Sequence, residues 1–122
     1  MEISPEVARS LLAAEGATFF DVRPSHDYEE SGLRIPGAVQ VGAGSGVDIL
    51  EALKGAPPDR SIVVYCDDPD QATSALIARR ARELGLAEAF FLAGGFSAWQ
   101  ARQLPVERVP DLAVAPVAQD GG

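Results

Sequence analysis

Cysteine, histidine, lysine and asparagine are nearly or wholly missing from this chain of 122 residues. It holds one cysteine (Cys66), one histidine (His26), one lysine (Lys54) and no asparagine. A single cysteine excludes an intramolecular disulfide and any multi-cysteine metal site. One histidine beside it cannot close a zinc site, so no metal and no cofactor is expected. Positive charge is scarce too: 10 Lys and Arg stand against 18 Asp and Glu, a formal net charge of −8. That balance argues against a nucleic-acid partner, because no basic surface offsets phosphate repulsion. No segment approaches the roughly 18–20 continuous apolar residues of a membrane span. The start, Met1-Glu2-Ile3-Ser4-Pro5, lacks the basic stretch and apolar run of a signal peptide. The expectation is a cytoplasmic monomer that engages neither membrane nor nucleic acid.

The hydrophobic fraction of 47% and charged fraction of 23% are those of a folded domain with a real core. Ser4 and Pro5 suit a helix start, Val7, Ala8, Leu11 and Leu12 keep helical spacing, and Gly16 suits a stop. Residues 18–22 form a short apolar strand, and 23–37 a long connection with one turn of helix near 27–30. A second strand at 38–41 and a glycine-rich spacer precede a short helix at 47–54 that turns Ile49, Leu50 and Leu53 inward. The run Ile62-Val63-Val64-Tyr65 is β-branched and aromatic without a polar break, as suits a central strand buried on both faces of a parallel sheet. A helix over 71–84 follows, with Ala72, Ala75, Leu76 and Leu84 expected on its apolar face. A strand at 89–92 and a Gly94-Gly95 turn lead into a last helix holding Phe96, Trp99 and Ala101. Alternating strands and helices predict an α/β domain over residues 1–106, with a flexible tail over 107–122.

Cys66 sits where the best strand ends and a helix begins. Ligands of open α/β sheets bind beyond the carboxyl ends of their strands. Unpaired N–H groups and the positive end of the helix dipole stabilise a thiolate there, so Cys66 is the candidate nucleophile. The alternative is a small buried hydrophobe.

Five short segments occur in a single order: Asp21-Val22-Arg23, Arg34-Ile35-Pro36-Gly37-Ala38, Ile62-Val63-Val64-Tyr65-Cys66, Leu92-Ala93-Gly94-Gly95-Phe96-Ser97-Ala98-Trp99 and Leu104-Pro105-Val106. Together they resemble a rhodanese-like domain of the single-domain sulfurtransferase type, over about residues 4–106. The resemblance implies a rhodanese-like fold, an approximately five-stranded, mainly parallel sheet with helices on both faces. It also implies that Cys66 takes a sulfane sulfur from a donor such as thiosulfate, becomes a persulfide and passes the sulfur to a thiophilic acceptor. The substrate loop would be Cys66-Asp67-Asp68-Pro69-Asp70-Gln71 with Ala72, binding mainly through backbone N–H groups. Asp21 and Arg23, the family's Asp-x-Arg, would be mainly a structural pair supporting the site, and His26 would be a surface residue. The partners implied are a small sulfur donor and acceptor or the persulfide of a partner protein. Gly121-Gly122 ends the chain as small sulfur carriers end, but those are ubiquitin-like and this chain is not, so a flexible end is expected.

The chain departs from the family pattern in its loop. Pro69 stands where the pattern has glycine, Gln71 where it has arginine or lysine, and Arg34 where histidine is frequent. Two unit charges about 6 Å apart near a surface interact by roughly 2–3 kcal/mol. Asp67, Asp68 and Asp70 therefore disfavour dianionic thiosulfate and the Cys66 thiolate if they point inward, whereas the helix terminus contributes about 0.3–1 kcal/mol the other way. This points to a less anionic donor, a polysulfide or a protein persulfide. The competing expectation is a catalytically silent rhodanese-like module that binds or regulates a partner. A Cys-x5-Arg phosphatase loop is excluded, since the residue six after Cys66 is Ala72.

Overall fold

The computed structural model describes residues 1–67 and 71–110. Five strands pair side by side: β1 (Glu2–Ile3), β2 (Ala17–Asp21), β4 (Val39–Gln40), β5 (Ser61–Tyr65) and β6 (Ala89–Leu92). Their order is β1-β6-β5-β2-β4 with every pairing parallel, and β5 is central. Parallel strands need crossover connections, and α1 (Pro5–Ala13) lies between β1 and β2, α3 (Ile49–Lys54) between β4 and β5, and α4 (Ala72–Glu83) between β5 and β6. The remaining elements are α2 (Ser25–Ser31), α5 (Gly95–Ala101) and a small antiparallel pair of β3 (Leu33–Arg34) with β7 (Glu107–Arg108).

Alternation along the strands builds two cores. Phe19, Val63, Tyr65 and Leu92 face α1 and α5, where they meet Ala8, Phe96 and Trp99. Phe20, Val22, Ile62, Val64 and Cys66 face the other way, toward Leu53 of α3 and Ala81 of α4. The adjacent aromatics Phe19 and Phe20 thus anchor opposite faces, each 2% exposed. This is the expected α/β sheet with helices on both faces.

Local chemistry accounts for the helix ends. Ser4 Oγ accepts the Val7 N–H at 3.2 Å, and Pro5 occupies the first turn of α1. Asp48 caps α3 by accepting the Glu51 N–H at 3.2 Å. Gly32, at φ 71°, ends α2 by donating its N–H to Tyr28 O.

Four expectations need correction. Strand β1 lies ahead of the expected first helix and exists only through pairing, Phe91 N–H to Met1 O and Ala93 N–H to Ile3 O, both 2.8 Å. The connection 23–37 holds a seven-residue helix rather than one turn. On α4 the buried residues are Ser74, Ala78 and Ala81, while Leu76 and Leu84 are about half exposed, at 54% and 50%. Small side chains let α4 lie close to the sheet, and that closeness, not the bulk of its leucines, sets the helix's phase. Finally, Glu107 and Arg108 do not belong to a tail: they pair with β3 across the resemblance's Arg34 segment. Residues 111–122, including Gly121-Gly122, lie outside the described residues.

Candidate active site

The backbone at the end of β5 is held from both sides. Val22 donates its N–H to Tyr65 O at 2.9 Å, and Phe96 donates its N–H to Cys66 O at 3.0 Å. The second contact requires glycine at the start of α5: a Cβ on Gly95 would stand 2.5 Å from Cys66 O, and the residue adopts φ 63°.

Cys66 is 1% exposed, on the α4 side of the sheet. Its thiol donates to Ser74 Oγ at 3.1 Å, and Ser74 Oγ donates onward to Gln71 O at 3.3 Å. Ser74 lies in the first turn of α4 and is fully buried. A buried hydroxyl next to sulfur can reverse its role and donate to a thiolate or a persulfide. Sequence reasoning passed over Ser74. The available signal was its place four and seven residues before Ala78 and Ala81, the one polar member of a small-residue stripe.

Of the described loop residues, Asp67 and Gln71 are engaged with α5 and the turn that precedes it. Asp67 Oδ1 accepts both the Ser97 N–H at 3.1 Å and the Ser97 hydroxyl at 2.6 Å, so its charge rests on the first turn of that helix. Gln71 caps α4 in the left-handed conformation, φ 56°, and its Oε1 accepts the Gly94 N–H at 2.8 Å. Ala72 opens α4 and is exposed. Asp68, Pro69 and Asp70 lie outside the described residues.

Behind this loop, Asp21 and Arg23 form a buried ion pair, 0% and 2% exposed, with Arg23 Nη2 to Asp21 Oδ2 at 2.6 Å. Arg23 Nε bonds both carboxylate oxygens at 3.0 and 3.1 Å, and Nη2 also reaches Leu33 O at 2.8 Å. The guanidinium stacks 4.4 Å from the Phe96 ring centroid. Burial works against the Arg23 charge, but hydrogen bonding to Asp21 outweighs it and the pKa is raised. Tyr65, the residue before Cys66, accepts the Ile35 N–H on its hydroxyl at 3.1 Å. Its burial, helped by Asp21, pushes its pKa well up, so it stays a neutral phenol. The pair and the phenol therefore clamp the segments at 21–23, 33–35 and 65–66 together.

Arg34 is structural in the same sense. It bonds Glu107 at 2.7 Å, Tyr28 Oη at 3.2 Å and Ala38 O at 3.1 Å, tying the 34–38 turn to β7. His26 is 82% exposed and stands 3.9 Å from Glu30 on the surface of α2.

A cavity of ≈ 500 Å³ borders the site, walled by Val22, Val41, Val47, Ile49 and Thr73 with neighbouring loop residues. Among the described residues no helix is long and apolar enough to cross a membrane.

A family model described as the rhodanese-like domain matches residues 4–102. No curated protein matches the chain. Solved structures do. One is a protein of unknown function from Rhodopseudomonas palustris called a possible tyrosine phosphatase, 27% identical over 87% of this chain and 83% of its own, with a TM-score of 0.69. A rhodanese-like domain from an Anabaena protein is 25% identical over 88% of this chain and 79% of its own, with a TM-score of 0.64. A rhodanese-related protein from Thermoplasma volcanium shares the fold at 18% identity, covering 87% of this chain and 96% of its own, TM-score 0.65.

Proposed function

The chain belongs to the rhodanese-like domain family, and from that membership we propose that it is a sulfurtransferase working through a persulfide on Cys66. The observation that carries this reading is the buried Cys66 thiol hydrogen-bonded to Ser74 Oγ at 3.1 Å beside the first turn of α4. In the first step the Cys66 thiolate attacks the sulfane sulfur of a donor. A sulfur–sulfur bond forms to Sγ, and the donor's own bond to that sulfur breaks with its electron pair on the leaving group. In the second step an acceptor nucleophile attacks the outer sulfur and Cys66 leaves as thiolate. Ser74 donates to whichever sulfur carries the charge, and the dipole of α4 adds to this.

The donor is better drawn from polysulfides, persulfides or the persulfidated cysteine of a partner protein than from thiosulfate. The position five residues after Cys66 holds Gln71, whose side chain is engaged with Gly94, so it offers a dianion no positive charge. The same residues speak against phosphate-ester chemistry: neither Gln71 nor Ala72 supplies the arginine that clamps a phosphoryl group. Asp67 bears less on the sulfur than its sequence position implies, because Ser97 and the α5 terminus take up its carboxylate.

The test is direct. Protein incubated with polysulfide is expected to gain the mass of one sulfur atom at Cys66, removable by cyanide, and Cys66→Ser is expected to gain none. Absence of cyanide-labile sulfur with every donor would leave the chain a silent binding module.

A further inference from the structure

The cavity beside the site has a definite chemistry. Among the described residues none of its walls carries a charge: Val22 and Val41 come from the ends of β2 and β4, Val47 and Ile49 from the start of α3, and Thr73 from α4. It lies on the Cys66 face of the sheet, since Val22 and Val41 share one packed cluster with Cys66 and Ile49 packs against it. Val22 donates its N–H to Tyr65, the residue before Cys66, and Thr73 precedes Ser74, whose hydroxyl meets Sγ.

The wall is built rather than loose. Ser25 donates its N–H to Ala43 O at 2.7 Å, and Gln40 Nε2 bonds Ser25 Oγ at 2.8 Å. Ser45 N–H closes a turn on Gly42 O at 3.0 Å. Gly42 has to be glycine, because a Cβ there would collide with the carbonyl of Arg23. A preformed apolar cavity of ≈ 500 Å³ has the size of a small-molecule site.

We infer that this cavity is the acceptor subsite, taking the aliphatic body of an uncharged thiol while the thiol's sulfur meets the Cys66 persulfide. The inference rests on the sulfurtransferase reading. Among the described residues an anionic acceptor would meet no cationic wall, and the chain carries a net charge of −8. An alkyl chain instead gains about threefold to fourfold in binding for each methylene it buries. In the transfer the acceptor's sulfur bonds the outer sulfur, the bond to Sγ breaks and leaves its electron pair on Cys66. The thiol proton passes to the product persulfide or to solvent, and no external oxidant or reductant is needed.

The experiment uses the full chain, persulfidated with polysulfide and verified by intact mass. Ethanethiol, propanethiol, butanethiol and mercaptosuccinate then serve as acceptors. The expected result is a rise in kcat/KM of about threefold to fourfold per methylene, with mercaptosuccinate slowest. Val47→Asp, at a position 45% exposed and so safe for folding, is expected to flatten the series. Equal rates along the series on a verified persulfide would overturn the inference and leave the sulfurtransferase reading standing. If no persulfide forms, that reading fails, and the cavity is judged alone by methyl NMR with butanethiol. Shifts at Val41, Val47 and Ile49 would then support an apolar ligand, and their absence would overturn it.

Discussion

Replacing Ser74 by alanine removes one oxygen from a helix face already made of alanines, so it isolates the hydroxyl's effect on sulfur. Ser74 is fully buried and bonds two groups, the Cys66 thiol at 3.1 Å and the Gln71 carbonyl at 3.3 Å. A bond between a thiol and a hydroxyl joins two neutral groups, and its loss is worth about 0.5–1.5 kcal/mol of stability. Once sulfur carries charge, the same hydroxyl donates to an anion, and that bond is worth about 1.5–3 kcal/mol. A charged sulfur is a species of the reaction path, where the thiolate attacks and later leaves. Ser74→Ala should therefore slow sulfur loading about 10- to 150-fold while lowering unfolding free energy by no more than about 1.5 kcal/mol. Time-resolved intact mass gives the loading rate, and urea unfolding gives the stability. Ser74→Thr keeps a hydroxyl and should recover much of the rate. A variant that loads at the wild-type rate, or loses as much stability as transition-state stabilisation, would refute the argument.

Other perturbations follow from the surrounding geometry. Arg23→Met leaves the Asp21 carboxylate buried without its partner, and urea unfolding should show a loss of about 3–5 kcal/mol. Gly95→Ala puts a Cβ against Cys66 O at a positive φ, so a loss of about 1–3 kcal/mol in the same assay is expected, together with slower loading. Glu107 has its pKa lowered, first by the Gly37 N–H and then by Arg34, against some desolvation. A lowered folded pKa means the contribution is complete above the ordinary glutamate value of 4.5 and is lost as pH falls through the folded value. Being 38% exposed, the group contributes under about 1 kcal/mol, and Glu107→Gln should remove that part of the acid sensitivity in unfolding followed from neutral pH downward.

Much of this was legible without coordinates because it depends on neighbours in the chain. The run at 62–65 has no polar residue to face water, so it had to be buried on both sides, and it is the central strand. Ser4 and Pro5 act on backbone groups within four residues, which a local reading can find. Asp21 and Arg23, which the resemblance implied as a structural pair, form a buried ion pair.

Contacts between distant segments were not legible. Two-residue strands such as β1 and β7 carry too little pattern to be read and exist only by pairing with Phe91, Leu92 and β3. The face of α4 could not be assigned from hydrophobicity, because close packing on the sheet favours Ser74, Ala78 and Ala81 over larger leucines. The sequence alone determined that one cysteine ends a buried strand at the mouth of a helix, since strand burial, helix start and loop length are local properties. Only the tertiary structure decided what surrounds that sulfur. Asp67 turns to α5, Gln71 to Gly94, Ser74 to the thiol, and an uncharged cavity lies alongside. Charge acts through space, so three aspartates close in sequence do not define a field until the fold has set the direction of each one it describes.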